Sequence, residues 1–593
     1  MESILPRALA LPEAALLALV VGAAGLATAR ALLRDAREEE LRALALPVGM
    51  ALLAVVTSAM LFGRIPPRWP LAALLAAAGC GFRCDVAVLA RGAWRWIRAL
   101  GTGSPPSRLL AGLALVYGGL GIVGCLAPET GWDTGLYHFT MARLRAEEGW
   151  MAVRDDIPAG YRPGYVESLQ AVGFLFQGET LASLVNLLFY FSGLGVLRIW
   201  AGAVGGERAG LIAGFAYLTS TTYVLRTGGG DVEVGQAVFL GVAFYALWRL
   251  RGGGSAGWGW AAGAALGMLL GIKYPSAWIV LALALVWIAV RIKDRASWKT
   301  LLGEGAAIGL ACLAVGFPWY LRNHLALGNA VYPFLQGGGG EIAGPRERPG
   351  PEWIATFATT MAPDAFCLAG VPALAAGATR GVRWVAAVAG LFYALLLFHR
   401  GFTQDGIQMA GRYSSPSFMG LWLLAALGLA GVGGGAPWAR RAGFVFLGIA
   451  VAATLSVHAA RNLPKAPAAL GWESRAAYLE RRVHPYWAIR RAERDLPPGR
   501  KILLVDPRAY YCRAPYLVAS DSNFNLSFES IRTPAQLREF LGRHSIGFVV
   551  YAHPAPYHVR GFSAMLERSP GILEEAGAIR IDAREHSVLY RVP

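Results

Sequence analysis

From Leu9 to His458 the chain alternates between apolar runs of roughly 16–25 residues and short polar or basic breaks. A run of that length with few charges reads as a helix long enough to cross about 30 Å of hydrocarbon. Within each run the apolar residues are continuous rather than alternating, which excludes a β-barrel, the other fold that satisfies its backbone in lipid. The pattern predicts fourteen spans, over residues 8–30, 43–63, 70–90, 108–126, 181–200, 207–225, 234–249, 257–271, 275–291, 301–320, 363–379, 384–398, 413–433 and 442–458. Residues 257–291 also read as one broken segment, because Gly271-Ile272-Lys273-Tyr274-Pro275 interrupts them.

The tail changes character near Leu463, where charge becomes frequent. Residues 501–506 form a short buried-strand pattern, 546–551 a second, and 587–590 a third. Between them Thr533-Pro534 opens an amphipathic run through Leu541, with proline at a first helical position. Strands alternating with helices predict a small α/β domain. The expected organisation is 1–107 additional N-terminal spans, 108–462 a membrane core, and 463–593 the soluble domain.

Arg and Lys then orient the helices. Arg30, Arg34, Arg37 and Arg42, Arg91 to Arg108, Arg249 and Arg251, Arg291 to Lys299, Arg380 and Arg383, and Arg440 and Arg441 all fall on one side under this count. By the positive-inside rule that side is cytoplasmic. The long loops 127–180 and 321–362, the shorter 399–412 and the tail then lie outside, in the periplasm or cell exterior.

Composition agrees. Of 593 residues, 55% are hydrophobic and 16% charged, and the mean hydropathy is +0.44. The net charge of +17 would suggest nucleic acid in a soluble protein, but here the loop distribution accounts for it and no nucleic-acid module is present. Six scattered cysteines form no CxxC pair or Cys/His spacing. No metal-ligand set or cofactor motif stands out, although a divalent metal is left open. The first apolar run lacks a basic n-region and a clear cleavage site, so it reads as a retained helix.

Candidate chemistry gathers in the external segments. Gly131-Trp132-Asp133-Thr134-Gly135-Leu136-Tyr137-His138 opens the first long loop, followed by Arg154-Asp155-Asp156 and Tyr161-Arg162-Pro163-Gly164-Tyr165-Val166-Glu167. Asp133 sits just beyond a span, where a carboxylate is partly desolvated yet reachable, as a general base requires. Tyr137 is one helical turn on and His138 beside it. A solvated loop with an interfacial aromatic belt fits the same residues, and Asp155 or Asp156 would serve as base if the loop folds back.

Residues 226–233 place Asp231 and Glu233 at the same surface around three glycines, which also suit a flexible turn. Lys273-Tyr274 puts a cation at a helix break, functional by default unless it snorkels to headgroups. Arg322-Asn323 and Arg412 complete the set, with phospholipid pairing as the other role for the two arginines. Carboxylates and cations on one face suit a transferase acting on a lipid-linked sugar phosphate. One carboxylate deprotonates the acceptor, and the leaving phosphate needs its charge held by Arg or Lys.

In this order the motifs WD...YH (its Asp133, Tyr137 and His138), RPGYVE, GIKYP, PWYLRN....GNAVYPF and GRYSSP resemble the GT-C superfamily of membrane glycosyltransferases. The resemblance is to bacterial members grouped with protein O-mannosyltransferases and lipid A aminoarabinose transferases, and covers residues 108–593. It implies an all-α polytopic bundle with an external α/β domain, a polyprenyl-phosphate sugar donor, and inverting transfer to a glycan, lipid or protein acceptor on the external face. It also implies an acidic residue in the first large external loop, which Asp133 matches, and a second acidic site, which Asp231 or Glu233 matches. Three spans precede the family core, and no Glu/Asp-x-Asp pair surrounds Asp133. A lipid-oligosaccharide flippase, polymerase or ligase shares the spans and external cations, but seldom the terminal α/β domain. A solute transporter would place its polar residues near the midplane and show repeated halves, and neither feature is present.

Overall fold

The computed structural model describes residues 4–153, 157, 160–332, 362–374, 379–400, 410, 412–431, 437–506, 508–519, 531–552, 571–584 and 586–593. Two antiparallel helices, α1 (Ile4–Leu32) and α2 (Glu38–Phe62), open the chain. Three glutamates in the first turn of α2 complement its positive end, and Glu40 caps it by accepting the Arg37 N–H at 2.9 Å. The pair approaches so closely that a Cβ on Gly25 would lie 2.0 Å from the Ala45 carbonyl oxygen, and one on Gly49 2.0 Å from that of Val21. Small residues at such crossings are how membrane helices gain packing contact.

Next come α3 (Arg68–Gly81), α4 (Arg83–Thr102) and α5 (Pro105–Leu126). The expected span over 70–90 is not one straight helix, because α3 and α4 meet at 80° around Phe82. Beyond the first long loop, with α6 (Phe139–Glu148) and α7 (Tyr165–Phe176), lies α8 (Glu179–Leu218). Gly206 breaks α8 with φ 81° and ψ 175°, a backbone state that glycine adopts without strain. The chain folds back there, since the Tyr190 and Tyr217 rings lie 5.1 Å apart. The two spans expected at 181–200 and 207–225 are thus the arms of one hairpin, the second ending at Leu218.

The short helix α9 (Thr221–Arg226) leads to α10 (Glu233–Arg251), α11 (Gly257–Leu270), α12 (Ser276–Lys293) and α13 (Trp298–Leu327). Later helices rich in apolar residues are Trp384–Arg400, Phe418–Leu429 and Pro437–Asn462. By length and composition, 7 described helices can cross a membrane, or up to 8 with the bent α3–α4 pair counted as one span. That measure takes the α8 hairpin as one helix. It also leaves out the shorter apolar helices Gly257–Leu270, Asp364–Ala373 and Trp384–Leu397.

The helix ends define two faces. Arg249 pairs with Asp35 at 3.2 Å, Arg251 with Asp294 at 2.7 Å, and Arg291 with Glu304 at 2.6 Å. Arg251 also donates to the Gly381 carbonyl at 3.1 Å. The connections around residues 35, 250, 294 and 381 therefore meet at one face. Glu233, at the other end of α10, is roughly 27 Å away at 1.5 Å per residue. There the Met151 N–H donates to the Leu61 carbonyl at 3.1 Å, setting the first long loop on the end of α2.

The C-terminal domain carries a 5-stranded sheet ordered β2-β1-β3-β5-β4. Its strands are β1 (Lys501–Val505), β2 (Tyr516–Val518), β3 (Ile546–Ala552), β4 (Ile579–Arg584) and β5 (Ser587–Arg591). β1 pairs in parallel with β2 and β3, while β5 is antiparallel to β3 and β4. Helix Pro534–Arg543 starts with a capping box, in which Gln536 N–H donates to Thr533 Oγ1 at 3.3 Å and Thr533 N–H to Gln536 Oε1 at 3.1 Å.

Candidate active site

Asp133 directly precedes a π-helical turn, Thr134–His138, that runs into α6. Such turns are frequent at functional positions. The turn is fixed by the glycine segment before α10. Thr134 Oγ1 accepts the Gly230 N–H at 3.1 Å, and a Cβ on Gly230 would lie 2.6 Å from Thr134 Cγ2. Gln170 donates to the Gly230 carbonyl at 2.8 Å, and Asn186 to the Asp231 carbonyl at 2.7 Å. The glycines therefore serve the approach of this chain to itself.

Around that frame three carboxylates meet three cations. Arg412 binds Asp133 through Nη2 and reaches Glu233 at 3.2 Å. Lys273 reaches the same Glu233 oxygen at 3.2 Å. Arg226 binds Asp231 at 3.2 Å and the other Glu233 oxygen at 3.3 Å. The Lys273 Nζ stands 5.0 Å from the Tyr413 ring centre. Lys273 arrives at this spot because α11 ends at Gly271, and Gln236 of α10 holds the start of α12 through Ser276 Oγ at 2.7 Å.

The cluster has a floor and a rim. Glu233 is 0% exposed and Lys273 4%, whereas the Asp133 and Arg412 side chains keep 22% and 24% of their surface. A ligand meets the rim pair first. Burial pushes the Asp133 carboxyl up, but Arg412 and then Lys273 outweigh it and hold the group at about 2. Burial likewise opposes the charge on Lys273, and Glu233 overrides it, raising the ammonium above its usual range.

The remaining sequence-predicted residues surround this cluster. Tyr137 and His138 have ring centres 4.0 Å apart, and the Arg162 guanidinium lies 5.2 Å over Tyr137. His138 Nδ1 pairs with Glu167 Oε1 at 2.6 Å, with both side chains buried. Arg322 stands apart from Lys273 and Arg412. It donates to the Tyr161 carbonyl at 2.6 Å and to Asn323 Oδ1 at 2.7 Å. Asn323 in turn donates to the Tyr274 hydroxyl at 2.6 Å. Asp155 and Asp156 lie outside the described residues. Among those described, no group of three or more His, Cys, Asp or Glu side chains is arranged to hold a metal ion.

Sequence reasoning overlooked three contributions. Arg226 was read only as part of a glycine turn. Glu167 belongs to the RPGYVE motif, but no spacing ties it to His138. The third is a clamp from the C-terminal domain on the Asp133 loop. Tyr511 donates its hydroxyl to the Glu129 carbonyl at 2.5 Å, and Arg143 of α6 donates to the Tyr510 and Cys512 carbonyls at 2.9 and 3.1 Å. Between these, Arg508 lies 4.9 Å over the Trp132 ring, its fork held by Asp506 at 2.9 and 2.6 Å.

A comparison with protein-family models finds no match, and none is found among curated proteins. Solved structures do match. ArnT from Cupriavidus metallidurans in the apo state is 16% identical with a TM-score of 0.53, over 81% of this chain and 97% of that one. The same protein bound to undecaprenyl phosphate gives the same identity, score and coverage. The oligosaccharyltransferase of Archaeoglobus fulgidus in the apo form is 12% identical with a TM-score of 0.49, over 77% of this chain and 70% of that one. With 97% of ArnT matched at this score, the chain shares its GT-C membrane fold.

Proposed function

We propose that the protein is an inverting GT-C glycosyltransferase that moves a sugar from a polyprenyl-phosphate donor to a cell-envelope acceptor at the external membrane face. The observation that carries this reading is Arg412 bridging Asp133 and Glu233 beside Lys273, at the helix ends of a bundle shared with a protein that binds undecaprenyl phosphate. Asp133 accepts the acceptor hydroxyl proton as that oxygen bonds to the anomeric carbon. The bond from that carbon to the phosphate oxygen breaks, and the lipid phosphate leaves with its charge held by Arg412 and Lys273. Arg412 has a second task. While it holds Asp133 the carboxylate is a weak base, so an arriving phosphate that draws Arg412 away restores basicity when the donor is in place.

Transfer by the purified protein in liposomes, with a polyprenyl-phosphate sugar as donor, tests this. Lys273→Ala and Arg412→Ala should each reduce turnover on the order of a hundredfold, as removal of one charge-stabilising donor does elsewhere. Arg322→Ala should cost less, since its bonds go to Tyr161 and Asn323. Full activity in both of the first two variants would move the phosphate site elsewhere. Orientation has its own check, because Glu539 is an exposed position of the terminal domain. Glu539→Cys should react with an impermeant maleimide in intact spheroplasts, and protection there would reverse the topology.

A further inference from the structure

Helix α4 carries three distinct faces. At 100° per residue, Asp85, Leu89 and Trp96 fall on one side, which packs on α1 and α5. Next around the helix come Ala90, Ile97 and Trp94; Ile97 is 45% and Trp94 54% exposed. Arg91, Arg95 and Arg98 follow as a third, exposed stripe. The Arg98 guanidinium lies 5.4 Å over the Trp94 ring, where the stripe borders the bare apolar face.

Several other arginines at this face are neutralised. Arg30, Arg37, Arg249, Arg251 and Arg291 all pair with carboxylates. Among the described residues, no carboxylate pairs with Arg91, Arg95 or Arg98, and Arg91 is bonded only to the Ala87 carbonyl, at 3.1 Å. The helix position is also defined. Asp85 is held by Arg30 at the end of α1, and Arg30 binds Glu38 of α2 at 2.9 Å, so α4 starts at the face opposite Asp133. It follows α3 at an angle of 80°.

We propose that α4 lies in the headgroup plane of the leaflet opposite the carboxylate site, and that Arg91, Arg95 and Arg98 bind anionic phospholipid headgroups. In water the Trp94–Ile97 face would be an exposed apolar strip beside uncompensated charge. In a spanning orientation the three arginines would sit in hydrocarbon. An in-plane helix buries the strip among acyl chains and lifts the stripe to the phosphates, the usual arrangement of interfacial helices. The site is independent of the transfer reaction.

Native mass spectrometry of the full chain, loaded from equal phosphatidylglycerol and phosphatidylcholine, tests it. Each arginine near an anionic surface contributes about fivefold to partition. Wild type should therefore retain phosphatidylglycerol selectively, and R91Q/R95Q/R98Q should lose that selectivity by about tenfold or more. The matched lysine triple should keep most of it. If the glutamine triple does not fold, the three single variants should each show a drop of about threefold to fivefold. Equal retention of both lipids by wild type, or unchanged selectivity in the glutamine variants, would overturn the proposal. So would thermal stabilisation by inorganic phosphate in lipid-free detergent equal to that by phosphatidylglycerol, which would assign the stripe to a soluble anion.

Discussion

Asp133→Asn is expected to lower sugar transfer by about 10²–10⁴-fold, the usual range for a lost general base. Asparagine keeps the shape of the side chain and removes its basicity. It also releases Arg412 from its rim partner, leaving Glu233 at 3.2 Å to hold the guanidinium. Donor binding should therefore persist or tighten, which separates loss of chemistry from loss of the site. The same geometry sets the pH dependence. With its carboxyl held at about 2, Asp133 stays ionised throughout the working range, so kcat/KM for wild type should show no acidic limb from this group above about pH 4. Arg412→Gln removes the main lowering influence and leaves the burial that pushes the carboxyl up opposed chiefly by Lys273, so a limb should appear at or above the ordinary carboxyl value of about 3.9. Wild-type turnover by Asp133→Asn, with loss on Asp155→Asn or Asp156→Asn instead, would transfer the role to that segment.

The bundle was legible in the sequence because lipid leaves few alternatives. A long apolar run must be a helix, and its position can be read within a few residues. Its direction cannot. The turn at Gly206 and the bend at Phe82 depend on single backbone states and on packing against α1 and α5, which hydropathy does not encode. The strand patterns at 501–506, 546–551 and 587–590 were readable because β1, β3 and β5 are largely buried. β2 has 3 residues and β4 has none that is fully buried, so neither stands out.

The candidate site divides in the same way. Asp133, Glu233, Lys273 and Arg412 were visible because charge beside an apolar run is costly and so conspicuous. Their partners were not. Arg143 meets Tyr510 across 367 positions, and His138 meets Glu167 across 29. No periodicity links residues joined only by the fold. Arg322 shows the converse limit, because its motif pointed to the phosphate whereas its donors go to a backbone carbonyl and a neighbouring amide.

Glu233→Gln should be the most destabilising single change in the cluster, by about 3–5 kcal/mol, as when one member of a buried ion pair is removed. The carboxylate is fully buried, and Arg226, Lys273 and Arg412 all lie within 3.3 Å of its oxygens. Glutamine keeps the volume and one acceptor oxygen but no charge. Lys273, only 4% exposed, would then face no carboxylate at hydrogen-bond distance among the described residues. Unfolding in mixed detergent micelles should show the drop, and Glu233→Gln combined with Lys273→Met should recover part of it, because replacing both partners with neutral groups leaves no stranded ammonium. Asp133→Asn, at the rim, should change the unfolding midpoint less, since Glu233 still holds Arg412 and the asparagine strands no fully buried charge. The two carboxylates touched by Arg412 would then separate by measurement, Glu233 through stability and Asp133 through turnover. Equal stability of Glu233→Gln and wild type would mean that solvent reaches the floor of the cluster, and that Lys273 is neutralised by water or lipid rather than by Glu233.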